Sequence, residues 1–78
     1  MLIELKRAFL KYYPDWELDS EGFELMTFTK GDMVIRFSRQ KIGIRFRVES
    51  LDGSVIGQDA LYNPFDKQSL RIIKKYIS

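Results

Sequence analysis

Apolar and polar residues alternate between Asp32 and Glu49, which is the pattern of a β-strand with one buried face. The apolar positions are Met33, Ile35, Phe37, Ile42, Ile44, Phe46 and Val48. This alternation predicts two strands of an antiparallel hairpin, joined by Gln40-Lys41, with every apolar position on the same face. Because Gln-Lys lacks the glycine that tight hairpin turns prefer, a longer loop is the alternative. In that register Phe37 lies opposite Ile44.

The same register predicts that Arg36 and Arg45 lie opposite each other on the second face of the hairpin. Val34 and Arg47 form the neighbouring pair on that face. Like charges directly opposite one another destabilise a sheet by roughly 0.2–1 kcal/mol. A partner that carries negative charge would relieve this repulsion, although arginine stems on a solvated outer face explain the pattern as well.

A further strand is predicted before the hairpin, over residues 23–29. Lys30-Gly31 supplies the turn into the hairpin, because glycine tolerates the positive φ angle that tight turns require. A two-residue loop at this point places Phe28 opposite Met33. Met26 and Phe28 then lie on the buried face of the hairpin.

Two shorter segments extend the predicted sheet. Asp52-Gly53 is a strong signal for a hairpin turn, and it predicts a short strand over residues 55–58. The segment from Pro14 to Gly22 is a polar and acidic connector. Because Trp16 and Leu18 alternate with acids, a short edge strand is the alternative to a loop there.

A helix is predicted near each end of the chain. The apolar spacing of residues 2–13 is helical, and Pro14 ends this helix because the residue before a proline disfavours helical backbone. Asn63-Pro64 predicts the start of the second helix, with asparagine as the N-cap and proline at the first helical position. The buried positions predicted for the second helix are Leu70, Ile73 and Ile77, with Ile72 and Tyr76 beside them.

The predicted fold is α+β, a three- to four-stranded antiparallel meander with an N-terminal and a C-terminal helix packed on one face. Residues 1–78 are expected to form a single small domain. The order α-β-β-β-α resembles that of double-stranded-RNA-binding domains and of small RNA-cleaving toxins. Those domains hold phosphates with a lysine cluster that opens the second helix, where this chain has Lys67 next to Asp66. The toxins use a catalytic histidine, which this chain lacks.

The composition argues against most enzymatic chemistry. The chain has no cysteine and no histidine, so it cannot form disulfides, thiolate nucleophiles or zinc sites built from these residues. Its five glycines are isolated and form no phosphate-binding loop. The sequence therefore predicts a non-enzymatic domain without cofactor or metal. Without an apolar run of about 20 residues or a targeting segment, a cytoplasmic location is expected.

Charges of opposite sign are segregated along the chain. Five acids and no bases lie in residues 15–24, whereas residues 30–47 contain six bases and one acid. The net charge of +2 therefore hides distinct acidic and basic regions, which matter more than the total for steering a partner. The candidate polyanion-binding residues are Arg36, Arg45 and Arg47 on the second face, with Lys30, Arg39 and Lys41 at the ends of the hairpin.

Two functions from different classes are consistent with this pattern. The first is a module that binds nucleic acid or another polyanion, because the planar guanidinium group contacts phosphate with two parallel hydrogen bonds. The second is a protein-interaction module, such as an inhibitor, an adaptor or the subunit of a homodimer. It would use an acidic protein partner or an open sheet edge.

Overall fold

A computed structural model describes residues 2–77, which form an α+β fold. Helix α1 (Leu2–Tyr12) precedes a sheet whose strands pair in sequence order as one antiparallel meander. The strands are β1 (Glu17–Glu21), β2 (Leu25–Lys30), β3 (Met33–Arg39), β4 (Ile44–Ser50) and β5 (Val55–Leu61). A C-terminal helical segment follows, composed of α2 (Lys67–Leu70), a 3₁₀ turn (Arg71–Ile73) and α3 (Lys74–Ile77). The α+β meander is confirmed, but the predicted strand number is too low: the sheet of the described residues has five strands.

The fifth strand is β1, which was the alternative to a loop in the acidic segment, and the predicted fourth strand, β5, is longer than expected. At one edge, β1 pairs with β2, and all five of its residues are exposed. At the other edge, β5 continues to Leu61 beyond the predicted end at residue 58. Gly57 is accommodated in β5 because the ring of Tyr76 fills the space beside it. Asp59 is accommodated because its carboxylate accepts hydrogen bonds from the Ala60 N–H and the Tyr76 hydroxyl.

Both predicted hairpin registers are wrong by two residues. In β2–β3, Phe28 lies opposite Ile35 rather than Met33. In β3–β4, Phe37 lies opposite Phe46 rather than Ile44. A shift by two preserves the side of the sheet on which each residue lies, because side chains alternate with a period of two. The predicted buried face is therefore correct although the predicted pairs are not.

The backbone of two glycines explains the shift in register. Gly31 has a φ angle of 60°, and Lys30 pairs with Met33, so the loop is Gly31-Asp32 with glycine at its first position, as type II′ turns require. Gly43 has a φ angle of 77° and is the last residue of a four-residue loop that begins at Gln40. The four-residue loop removes Ile42 from the strand and leaves its side chain 78% exposed.

The core lies between one face of the sheet and the helices. Phe9 of α1 packs on the sheet at its centre, with its ring centroid 4.5 Å from that of Phe28 and 5.4 Å from that of Phe37. Fourteen of the described residues form this core: Leu2, Leu5, Phe9, Trp16, Met26, Phe28, Ile35, Phe37, Ile44, Phe46, Val48, Leu61, Leu70 and Ile73. Of the nine residues predicted on the buried face of the sheet, seven are buried, Met33 is half-buried and Ile42 is exposed.

The C-terminal helical segment begins later than predicted. Asp66, not Asn63, is the N-cap, because its carboxylate accepts a hydrogen bond from the Ser69 N–H at 2.8 Å. This hydrogen bond also lowers the pKa of Asp66. Leu70 and Ile73 are buried as predicted, whereas Ile77 is half-buried.

Candidate functional site

The arginine face consists of Arg36 on β3 and of Arg45 and Arg47 on β4. Strand β4 alternates between buried and exposed residues, so Arg45 and Arg47 lie on the side of the sheet opposite the buried Phe46. The helices of residues 2–77 contribute their buried side chains to the other side of the sheet. The three guanidinium groups predicted to lie together therefore share one face, and this face has no helix from the described residues over it.

The pairing across this face differs from the prediction. Arg36 lies opposite Arg47, not Arg45, because the β3–β4 register is shifted by two. Arg45 instead lies opposite Ser38 of β3 and Ala60 of β5. Two arginines do lie opposite each other across β3 and β4, as predicted, but the residue opposite Arg36 is Arg47.

Glu49 partly compensates this pair of like charges. Its Oε2 atom lies 3.3 Å from the Nε of Arg36 and 3.5 Å from the Nε of Arg47. The side chain of Glu49 is 14% exposed, whereas those of Arg36 and Arg47 are about half exposed. One carboxylate thus bridges two arginines, and the formal charge of the arginine face with Glu49 is +2.

The floor of the arginine face is packed although no helix of residues 2–77 covers it. Thr27 is 5% exposed and Val34 is 7% exposed, although both lie on the open side of the sheet. Thr27 lies directly opposite Arg36, whose aliphatic stem can cover it. Between the strands, the face forms a shallow depression of about 210 Å³ lined by the three arginines together with Leu25, Ser38 and Gln58.

The other predicted cations lie away from the arginine face. Lys30 is at one end of the sheet, where its Nζ is 3.8 Å from the carboxylate of Asp15. Arg39 is at the opposite end of β3, with its guanidinium carbon 5.7 Å from the ring centroid of Phe23. Lys41 is exposed in the loop between β3 and β4. The structure therefore brings three of the six predicted residues together.

The acidic segment of residues 15–24 does not neutralise the arginine face. Glu21 pairs with Lys6 of α1 at 2.9 Å, and Asp15 pairs with Lys30. Within residues 2–77, the ion pairs of this segment involve no residue of the arginine face. The same part of the chain holds no group of three or more acidic side chains placed to bind a metal ion.

Sequence reasoning missed the contribution of β5 to this site. Gln58 lies opposite Arg47 and lines the depression, while Ala60 lies opposite Arg45. The signal for it in the sequence is that Gln58 and Ala60 alternate with Gly57 and Asp59, as residues on opposite faces of a strand do. It was obscured because the glycine and the acid are residues that strands disfavour.

Comparisons with known proteins identify no relative of this chain. No protein-family model matches it, and no curated protein or solved structure is significantly similar to it. No helix between residues 2 and 77 has the length and apolar character needed to cross a membrane. The function must therefore be inferred from the site itself.

Proposed function

We propose that the domain is a non-enzymatic binding module that holds the phosphate backbone of nucleic acid on the arginine face. The observation that carries this proposal is the opposed pair Arg36–Arg47 with Arg45 beside it, on a side of the sheet without a covering helix in residues 2–77. This face keeps a formal charge of +2 after compensation by Glu49. A bound phosphate would relieve the repulsion between the two facing arginines.

The chemistry of the arginine face suits phosphate. Both contacts with Glu49 use the Nε atom of the arginine, which leaves the terminal Nη atoms of Arg36 and Arg47 available to a ligand. Guanidinium groups bind phosphate oxygens through two parallel hydrogen bonds. Among residues 2–77, this face presents a five-stranded sheet and no helix or two-stranded ribbon that could enter a groove and read base edges, so the proposed binding is independent of nucleotide sequence. Such a role fits a cytoplasmic protein.

Fluorescence anisotropy with labelled single-stranded and duplex oligonucleotides, measured across a salt series, tests this proposal. If the net charge of the face neutralises two phosphates, log K falls against log salt with a slope of about −1.4 for single strands and about −1.8 for duplex DNA. The expected Kd is roughly 10⁻⁴ to 10⁻⁶ M at physiological salt, the range of non-specific binding.

The decisive variant is R36Q/R45Q/R47Q, which is expected to lose this binding and to keep its fold, since all three side chains are exposed. The matched control is R7Q/K41Q/K75Q, which removes the same number of positive charges from exposed positions outside the arginine face. Circular dichroism checks that both variants are folded. Unchanged binding by R36Q/R45Q/R47Q would refute the proposal and favour a protein-interaction module instead.

A further inference from the structure

A second group of cations lies on the helical side of the molecule. Lys67, Arg71 and Lys74 of the C-terminal helical segment line a cleft together with Lys11 at the end of α1. The cleft has a volume of about 220 Å³. The same three residues of the C-terminal segment also line an adjoining, wider depression of about 440 Å³. The four cations thus come from two separate parts of the chain and meet at one concave surface.

The local backbone aligns these cations. Lys67 and Arg71 are four residues apart, so they lie on the same side of a helix. The chain then changes to a 3₁₀ turn over Arg71–Ile73. Because a 3₁₀ helix has three residues per turn, side chains at i and i+3 are stacked one above the other, which places Lys74 in line with Arg71. The segment therefore presents a row of three positive charges to the cleft.

No carboxylate compensates this row in the part of the chain that the structure describes. The ion pairs of residues 2–77 involve other cations, namely Lys6, Lys30, Arg36 and Arg47. The nearest acid in the sequence, Asp66, uses its carboxylate to cap the segment at the Ser69 N–H. Like charges at helical spacing repel one another, so the row is unfavourable without a ligand.

The tyrosines of the cleft supply rigid walls rather than charge. The hydroxyl of Tyr13 donates a hydrogen bond to the Leu70 carbonyl at 3.0 Å, which ties α1 to the C-terminal segment beneath the cations. Burial raises the pKa of Tyr13, so the phenol stays neutral around pH 7. The Nζ of Lys11 lies 5.4 Å from the ring centroid of Tyr12, which holds the ammonium group at the rim of the cleft.

We propose that this cleft is a second binding site, distinct from the arginine face, and that it takes a compact phosphate ligand carrying several negative charges, such as a di- or triphosphate group. Four cations on a concave surface of this size suit a compact polyanion better than they suit an extended phosphate backbone. Lysine serves this purpose as a point charge that requires no fixed geometry of the ligand. The phosphate group could come from a free polyphosphate or from a nucleotide, and the chemistry recognised is the same.

Titration of the ¹⁵N-labelled chain with sodium tripolyphosphate, followed by NMR, tests this site. Saturable shifts are expected for the amides of residues 11–13 and 67–74, at lower tripolyphosphate concentrations than any shifts of the arginine face. K67Q/R71Q/K74Q is expected to bind roughly tenfold more weakly or worse, since it loses three ion pairs. If that variant fails to fold, R71Q alone provides the test, and its affinity should fall roughly two- to fivefold for one ion pair. A parallel titration with ATP separates the sources, because extra shifts from the nucleoside would identify a nucleotide ligand.

Two matched controls separate this site from its surroundings and from the proposed function. K75Q removes a positive charge from the same segment, but the Nζ of Lys75 lies 6.0 Å from the centroid of the Tyr76 ring and outside the cleft, so binding should be unchanged. R36Q/R45Q/R47Q should keep the shifts of residues 11–13 and 67–74, with the affinity of the wild type for tripolyphosphate at the cleft. Shifts that sodium chloride reproduces at equal ionic strength, or equal affinities of K67Q/R71Q/K74Q and wild type, would overturn this proposal and leave the arginine face unaffected.

Discussion

The bridging carboxylate of Glu49 sets the charge of the arginine face, so its removal has a calculable effect. Glu49→Gln keeps the shape of the side chain and an oxygen that can accept from Arg36 and Arg47, but it raises the formal charge of the face from +2 to +3. If each net charge neutralises one phosphate, the salt slope steepens from about −1.4 to −2.1 for single strands and from about −1.8 to −2.7 for duplex DNA.

The same variant should bind nucleic acid more tightly, and the gain should depend on salt. One additional phosphate contact multiplies the association constant by the salt concentration raised to a power of about −0.7 to −0.9, which is about five- to eightfold at 0.1 M salt. The gain should vanish as the salt concentration approaches about 1 M. Two partly exposed ion pairs are lost, so the free energy of unfolding should fall by about 0.5–2 kcal/mol.

Fluorescence anisotropy of wild type and E49Q across a salt series measures both quantities, and urea denaturation measures the loss of stability. E4Q is the matched control, because it adds the same unit of charge on the exposed side of α1, beneath the opposite face of the sheet. An E49Q affinity no higher than that of the wild type, or a gain that E4Q reproduces, would refute the assignment of nucleic acid to the arginine face.

Two further predictions concern the turns that set the sheet. A Cβ atom at Gly43 would lie 2.6 Å from the Leu61 carbonyl oxygen, whereas one at Gly31 would meet nothing within 4 Å. Because both glycines have positive φ angles, G31A should lower the free energy of unfolding by about 1–2 kcal/mol, and G43A should lower it by a further 1–3 kcal/mol. Urea denaturation measures both values, and equal losses would contradict the close approach at Gly43. Hydrogen bonds from the Ser50 hydroxyl and the Ser54 N–H lower the pKa of Asp52 to about 2. Because this pKa is below the unfolded value of about 3.9, the stability that Asp52 contributes should be complete above about pH 4 and lost as the pH falls through about 2. The difference in urea midpoint between wild type and D52N should shrink over that range, and a constant difference would contradict it.

The faces of the sheet could be predicted from the sequence because alternation determines them. Arg45 and Phe46 are neighbours in the chain, and the period of two alone assigns them to opposite sides of β4. The side of the sheet assigned to Arg36 is correct for the same reason, whatever residue lies opposite it. The location of the candidate site on the open side of the sheet therefore needed no knowledge of the turns.

The pairs within each face could not be predicted because they depend on backbone angles in the turns. Gly31 was expected at the second position of its loop and occupies the first, while Gly43 was expected within a strand and ends a loop. The start of the C-terminal segment was also misplaced, since Asp66 competes with Asn63 for the N-cap and its carboxylate forms the capping hydrogen bond. In each case the local sequence is compatible with more than one turn or N-cap position, and tertiary packing selects one of them.

The error in register matters for function although it moves no residue to the other face. In the predicted register Arg36 lies opposite Arg45, and Glu49 is four residues farther along β4, beyond the reach of a diagonal contact. In the observed register Arg36 lies opposite Arg47, and Glu49 is its diagonal neighbour. The shift by two residues therefore brings Glu49 within reach of Arg36 as well as of Arg47, which is its neighbour along β4 in either register. The alternation of residues determines on which face the positive charge lies, whereas the turns determine the register and therefore which arginines Glu49 contacts.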